Sequence, residues 1–126
     1  MRLVKQLVEL LARALKLKGE GKEDEALELL DSGCLSLLGI PYSALALVDS
    51  KSAADLLNEP TRITVFGRLL EERAAIEAQQ GHSLAARTRR AHALEIYAEA
   101  LKRSPSHADA LAGAERVRLA MQTASR

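Results

Sequence analysis

Few residues of this sequence have a type and spacing that could support catalysis or metal binding. The three histidines, His82, His92 and His107, never stand four residues apart, and no acid–histidine motif surrounds them. A metal site needs ligands that converge on one point, so we expect surface or capping roles for these side chains. Cys34 lies on the apolar side of a predicted helix, where cysteine acts as a small hydrophobic residue. The sequence therefore predicts no metal site, no cofactor and no enzymatic activity.

Two further patterns look chemical but have simpler explanations. The GEGK run at 19–22 lacks the glycine and the Ser or Thr of a phosphate-binding loop, because those positions hold Lys16 and Glu23. It is better explained as a loop between helices. The acidic run at 23–28 falls in a first helical turn, where negative charge suits the helix dipole. We expect a solvated face there and no pair of catalytic carboxylates.

Three arginines, Arg87, Arg89 and Arg90, have no such simple explanation. On a helical wheel Arg89 and Arg90 fall on the apolar stripe of their helix, and Arg87 lies beside it. They could line a groove and bind a carboxylate or an acidic peptide through bidentate hydrogen bonds. Alternatively, they pair with acids of the preceding helix while their stems lie on its apolar surface. The acids in question are Glu71, Glu72 and Glu77.

Composition predicts the kind of scaffold that positions these residues. Hydrophobic residues make up 48% of 126, and most of them are Leu and Ala, whereas the residues that favour strands are scarce. We predict a single all-α domain. A net charge of +1 and only three aromatic residues argue against nucleic-acid binding. The single cysteine and the lack of a run of about 18 apolar residues predict a soluble, cytoplasmic protein outside the membrane.

Hydrophobic periodicity, glycines and prolines divide the chain into five to six antiparallel helices. We predict a helical hairpin in 1–41, short helical turns in 42–60, and a second hairpin followed by one further helix in 61–122. The long helices are predicted at about 2–18, 22–38, 62–80, 83–103 and 107–122. Ser52 with Asp55, and Ser106 with Asp109, have the spacing of helix-capping pairs.

The predicted helix at 83–103 resembles part of a known repeat family. Ala93, Tyr97, Ala100 and Pro105 are similar to the second helix of a tetratricopeptide repeat, in which small residues admit a neighbouring helix, an aromatic fills the gap and a proline ends the unit. The helix after Pro105 resembles the solitary helix that covers the end of such an array. On this resemblance the protein is a tetratricopeptide-like stack of helical hairpins with a C-terminal capping helix.

A second copy of the repeat is visible in the first third of the chain. Gly21 and Ala26 stand five residues apart, the spacing of the turn glycine and second-helix alanine in that family. In the later copy we match Gly81 with Ala93, twelve residues on. The seven extra residues are close to two helical turns, so they lengthen the helix without rotating its buried face by more than about 20°.

The resemblance implies a scaffold or adaptor that binds a protein or acidic peptide without catalysis. The predicted contact residues are Arg87, Arg89 and Arg90, with Tyr97 shaping the groove floor.

The alternative function is self-association, because a leucine-rich first helix could pack across a two-fold axis in a homodimer. The leucines concerned are Leu3, Leu7 and Leu10. Charge is also uneven: 1–60 carries a net −3 and 61–126 a net +4. Either the two halves attract within one chain, or the acidic 20–31 region of one subunit meets the arginines of another.

Overall fold

The computed structural model describes residues 2–124, and every regular element in that range is an α-helix. The all-α prediction is confirmed. Five helices are long and two are short, because each of the turns predicted within 42–60 forms a helix of its own. The elements are α1 (Arg2–Gly19), α2 (Glu23–Leu38), α3 (Tyr42–Leu47), α4 (Ser50–Leu57), α5 (Pro60–Gln79), α6 (Ser83–Arg103) and α7 (Ala108–Ala124).

Helix α5 lies at the centre and contacts α1, α2, α6 and α7. Side-chain contacts fix the directions of its neighbours. Lys18 at the end of α1 pairs with Glu72 in the second half of α5, so these two helices run the same way. Arg89 near the start of α6 pairs with Glu77 near the end of α5, so α6 runs the opposite way. Arg116 of α7 pairs with Glu71 in the middle of α5.

The turn after α1 and the turn after α5 have the same geometry. Gly21 and Gly81, sixty positions apart, have φ of 76° and 83°, a left-handed conformation that glycine adopts without strain. In each turn the next residue donates its backbone N–H to the carbonyl five residues earlier, at 2.9 Å in both cases. Five positions after each glycine stands a buried alanine, Ala26 or Ala86. The two helical hairpins are therefore built on the same local plan.

This shared plan changes the register predicted for the second hairpin. Ala86, and not Ala93, occupies the place that corresponds to Ala26, five residues after the turn glycine. Ala93, the alanine matched with Gly81 in the predicted repeat, is also buried and lies seven residues further along α6. Helix α6 is longer than α2, 21 residues against 16, because it continues to Arg103.

Large side chains pack directly onto glycines at the helix contacts. The fully buried ring of Tyr97 on α6 lies between Gly67 of α5 and Gly113 of α7. A Cβ atom added to Gly67 would stand 2.7 Å from the ring, and one added to Gly113 would stand 2.3 Å from it. Between α1 and α2, Leu10 packs onto Gly33 in the same way. The absent side chains let the helices approach closely.

Polar contacts hold the short helix α4, and its cap differs from the one predicted. Asp49 begins α4 and accepts the backbone N–H of Ser52 at 2.7 Å, so the predicted Ser52–Asp55 pair is not the cap. Arg62 on α5 donates to the carbonyl of Leu38 at 2.7 Å and to that of Leu57 at 3.1 Å. It thereby satisfies carbonyl groups at the ends of α2 and α4.

Ion pairs join the acidic and basic halves within one chain. Asp31 of α2 pairs with Arg73 of α5, and Asp55 of α4 pairs with Arg103 of α6. Both aspartates are about half exposed, so each pair orients its helices more than it stabilises them.

Candidate functional site

Arg89 does not face a groove, because Glu77 on α5 binds its guanidinium. Nε and Nη2 of Arg89 lie 3.1 and 3.2 Å from the two carboxylate oxygens of Glu77. Glu77 is only 8% exposed, and its hydrogen bonds raise the pKa of Arg89 further above its ordinary value. Of the two hypotheses for this arginine, ion pairing with the preceding helix is the one that the structure supports.

We expect Arg89→Met to lower the free energy of unfolding by roughly 1–2 kcal/mol, because it leaves the nearly buried Glu77 carboxylate without its bidentate partner. Urea denaturation measures the effect. Adding Glu77→Gln should recover part of the loss, since the amide carries no charge to desolvate. Arg87→Met, on the exposed side of the same helix, is the matched control and should change stability by less than about 0.5 kcal/mol. Strictly additive effects in the double variant would contradict the pairing.

Arg87 and Arg90 line a pocket of about 310 Å³ between the end of α5, the start of α6 and the end of α7. We call it the arginine pocket, and its other lining residues are Ala78, Ser83, Ala86, Met121 and Ala124. Neither guanidinium forms an ion pair or hydrogen bond with another residue of 2–124. Tyr97 does not line this pocket. The predicted set of contact residues is therefore divided over three places.

Tyr97 instead lines a second cavity, of about 290 Å³, that opens between α1 and α7 across the surface of α5. We call it the α1–α5–α7 groove. One wall is apolar and comes from α1, with Val4, Val8 and Leu11. The opposite wall carries Arg68 of α5 and Arg116 of α7. Val8 is 59% exposed beside Val4 and Leu11, so these three side chains form an apolar surface that is open to solvent.

A charged network underlies the arginine wall of the groove. The Glu71 carboxylate accepts hydrogen bonds from Arg116, at 2.9 and 3.2 Å, and from the hydroxyl of Tyr97. Arg68 lies 3.8 Å from the same carboxylate, an ion-pair distance without a hydrogen bond. Burial and the adjacent Glu71 charge both raise the pKa of Tyr97, so its hydroxyl remains a donor. Two guanidinium groups thus share one carboxylate at the edge of the groove.

The far end of the groove is polar. Thr61 Oγ1 and His107 Nε2 approach to 3.4 Å, and the exposed Asp109 lies nearby. His107 Nδ1 also faces the backbone N–H of Ala110 at 3.4 Å, in the geometry of an N-terminal cap. The predicted Ser106–Asp109 pair is thus replaced by His107 at the start of α7.

The single cysteine lies outside the arginine pocket and the α1–α5–α7 groove. Cys34 is buried, and burial with the nearby Asp31 charge raises the pKa of its thiol to about 11, so it is protonated at neutral pH. Within 2–124 no cluster of three His, Cys, Asp or Glu side chains could hold a metal ion. Nor does any helix in that range combine the length and the apolar character that crossing a bilayer requires.

The groove was not predicted, because a helical wheel puts Val8 and Leu15 on the same apolar face of α1 as Leu7. Of the three leucines proposed for a two-fold interface, Leu7 and Leu10 are buried within the chain and Leu3 is partly buried against the core. Val8 and Leu15 are more than half exposed on the neighbouring side of the same helix. The sequence feature that could have indicated the groove is the width of the apolar stripe on α1. This stripe is wider than the neighbouring helices can cover.

Comparison with known proteins adds no relative to this description. No protein-family model matches the chain, and neither the curated proteins nor the solved structures provide a match.

Proposed function

We propose that the protein is a non-catalytic scaffold of the tetratricopeptide-like type, which binds a segment of another protein in the α1–α5–α7 groove. Two hairpins with the same glycine turn, followed by one further helix, support this assignment. In this arrangement α1, α5 and α7 correspond to the first helices of successive units and together form one face. Such faces serve as extended binding surfaces in helical-repeat proteins.

The observation that carries the proposal is the open apolar wall of this groove. Val8 projects beside Val4 and Leu11, and no other helix of the described chain covers it. An apolar surface with a polar rim is the usual form of a protein-binding site. Tyr97 packs closely onto Gly67 and Gly113 beneath the groove, and a site that is already packed needs less ordering on binding.

The other predicted contact residues take different parts in this proposal. Arg87 and Arg90, whose guanidinium groups have no described partner, form a second contact region for an acidic part of the partner. Arg89 supports the fold through Glu77. The single cysteine, buried and unpaired, suits a reducing compartment, and we propose a cytoplasmic location for the scaffold.

Peptides selected against the whole chain from a display library of short random sequences test the groove. We expect Val8→Glu to weaken the selected peptides about tenfold or more, because it places a charge on the apolar wall. Fluorescence anisotropy gives the affinities. Leu84→Glu is the matched control, since Leu84 is 75% exposed on α6 and outside the groove. Equal binding by the two variants, or a selection that yields no binder, would overturn the proposal.

Self-association is the second candidate function, and the exposed apolar side of α1 is the observation that favours it. Val8 and Leu15, both more than half exposed, would replace the buried Leu7 and Leu10 at the two-fold interface. Light scattering on the same variants distinguishes the two functions. A monomer that retains peptide binding supports the scaffold, whereas a dimer that Val8→Glu dissociates supports self-association.

A further inference from the structure

We infer that the α1–α5–α7 groove accepts an amphipathic helix of a partner protein, with apolar side chains against α1 and a carboxylate on Arg68. This inference rests on the proposed function and specifies the chemistry of its ligand. It follows from an unequal distribution of charge and hydrogen-bonding groups between the two walls.

The arginine wall has more hydrogen-bond donors than there are acceptors beside them in the described chain. Glu71 already accepts two hydrogen bonds from Arg116 and one from Tyr97, which occupies most of its lone pairs. Arg68, with a side chain 33% exposed, donates no hydrogen bond to another residue of 2–124, although a guanidinium has five N–H groups. A carboxylate can satisfy two of them at once, in the fork geometry that arginine favours. The wall therefore attracts an acidic side chain.

The apolar wall on α1 requires apolar side chains on the ligand. Val4, Val8 and Leu11 cover about two helical turns, roughly 10 Å along the axis, and present no charge to the groove. A partner helix of similar length can place apolar residues at i and i+4 against them. An extended acidic peptide without apolar side chains would leave this surface wet, so the fitting ligand carries both characters.

The polar end of the groove sets the position of the acidic residue. Asp109 is exposed there, and a second carboxylate beside it would be repelled. Arg68 and Arg116 lie at the part of the groove floored by Glu71 and Tyr97. The acidic residue of the partner is thus expected beside these arginines and away from α7's first turn.

Matched synthetic peptides test the inference on the full chain. Each has the same leucine pair at i and i+4, and the flanking position holds glutamate, glutamine or lysine. We expect the glutamate peptide to bind about tenfold more tightly than the glutamine peptide, and the lysine peptide to bind most weakly. Added salt should reduce the difference, because part of it is electrostatic. Anisotropy measures all three affinities.

Arg68→Gln is the decisive variant, because this side chain makes no hydrogen bond within 2–124 and loses only the 3.8 Å ion pair with Glu71, a carboxylate that Arg116 still binds. It should abolish the preference for glutamate, and Arg68→Glu should reverse it in favour of lysine. Arg87→Gln, in the arginine pocket, should leave the preference unchanged. Thermal melting confirms that each variant is folded.

The outcomes separate this inference from the proposed function. If the three peptides bind equally and Val8→Glu weakens all of them, the groove is a binding site but the acidic requirement is wrong. If Arg87→Gln removes the preference while Arg68→Gln does not, the carboxylate binds in the arginine pocket and the inference is overturned. If no peptide binds and the display selection also fails, both proposals fall.

Discussion

Replacing Tyr97 with alanine should remove about 3–5 kcal/mol from the free energy of unfolding, the range measured when a buried aromatic side chain is deleted. The ring is fully buried between α5 and α7, and its hydroxyl donates to Glu71. Deletion leaves a cavity lined by two glycines, which have no side chains to move into it. Urea or thermal denaturation monitored by circular dichroism measures the loss.

Tyr97→Phe is the matched control because it keeps the ring and removes only the hydroxyl. Glu71 retains both hydrogen bonds from Arg116, so the cost should be about 1 kcal/mol. A Tyr97→Ala variant as stable as Tyr97→Phe would show that the ring is not what holds the helices together. That result would contradict the packing described for the second hairpin.

Gly113→Ala should destabilise the protein by roughly 2–3 kcal/mol, although glycine to alanine within a helix normally stabilises it by about 1 kcal/mol. The added Cβ would stand 2.3 Å from the Tyr97 ring, far inside van der Waals contact. The ring is also packed closely against α5, because a Cβ added to Gly67 would stand 2.7 Å from it. Either α7 shifts from α6 or the ring leaves its rotamer, and both changes cost free energy.

Gly19→Ala provides the control for this second prediction. Gly19 ends α1, has no positive φ, and has nothing within 4 Å of the position that its Cβ would take. This substitution should be neutral or slightly stabilising. In the double variant Tyr97→Leu with Gly113→Ala, the smaller side chain should relieve part of the clash, so the two effects should not add. Additive losses would indicate that Gly113 acts through something other than the ring.

The helical class and several boundaries could be predicted because their causes are local. Gly81 and Pro105 bracket α6, which was predicted at 83–103 and spans Ser83–Arg103. Leucine and alanine periodicity likewise predicted α1 within one residue of its end at Gly19. The burial of Tyr97 followed from its place among small residues at helical spacing.

The site was harder to predict, because it depends on how neighbouring helices are rotated and on where they end. The wheel correctly put Arg89 on the inner side of α6, but only the position of α5 determines that Glu77 is its partner. The groove exists because α1 and α7 lie apart over α5, a distance that no local pattern encodes. The alanine that corresponds to Ala26 in the second hairpin is not fixed by the sequence for a similar reason: Ala86 and Ala93 are both small and buried, and spacing alone favours neither.

The position of Tyr97 also provides a spectroscopic probe. The chain has no tryptophan and only two tyrosines, so near-ultraviolet emission comes from Tyr97 and from Tyr42, which lies under Arg73 between α2 and α5. Tyr97 lines the groove and donates its hydroxyl to the Glu71 carboxylate, which also binds the arginines. Occupancy of that surface can therefore be followed from the protein's intrinsic fluorescence, without an attached dye.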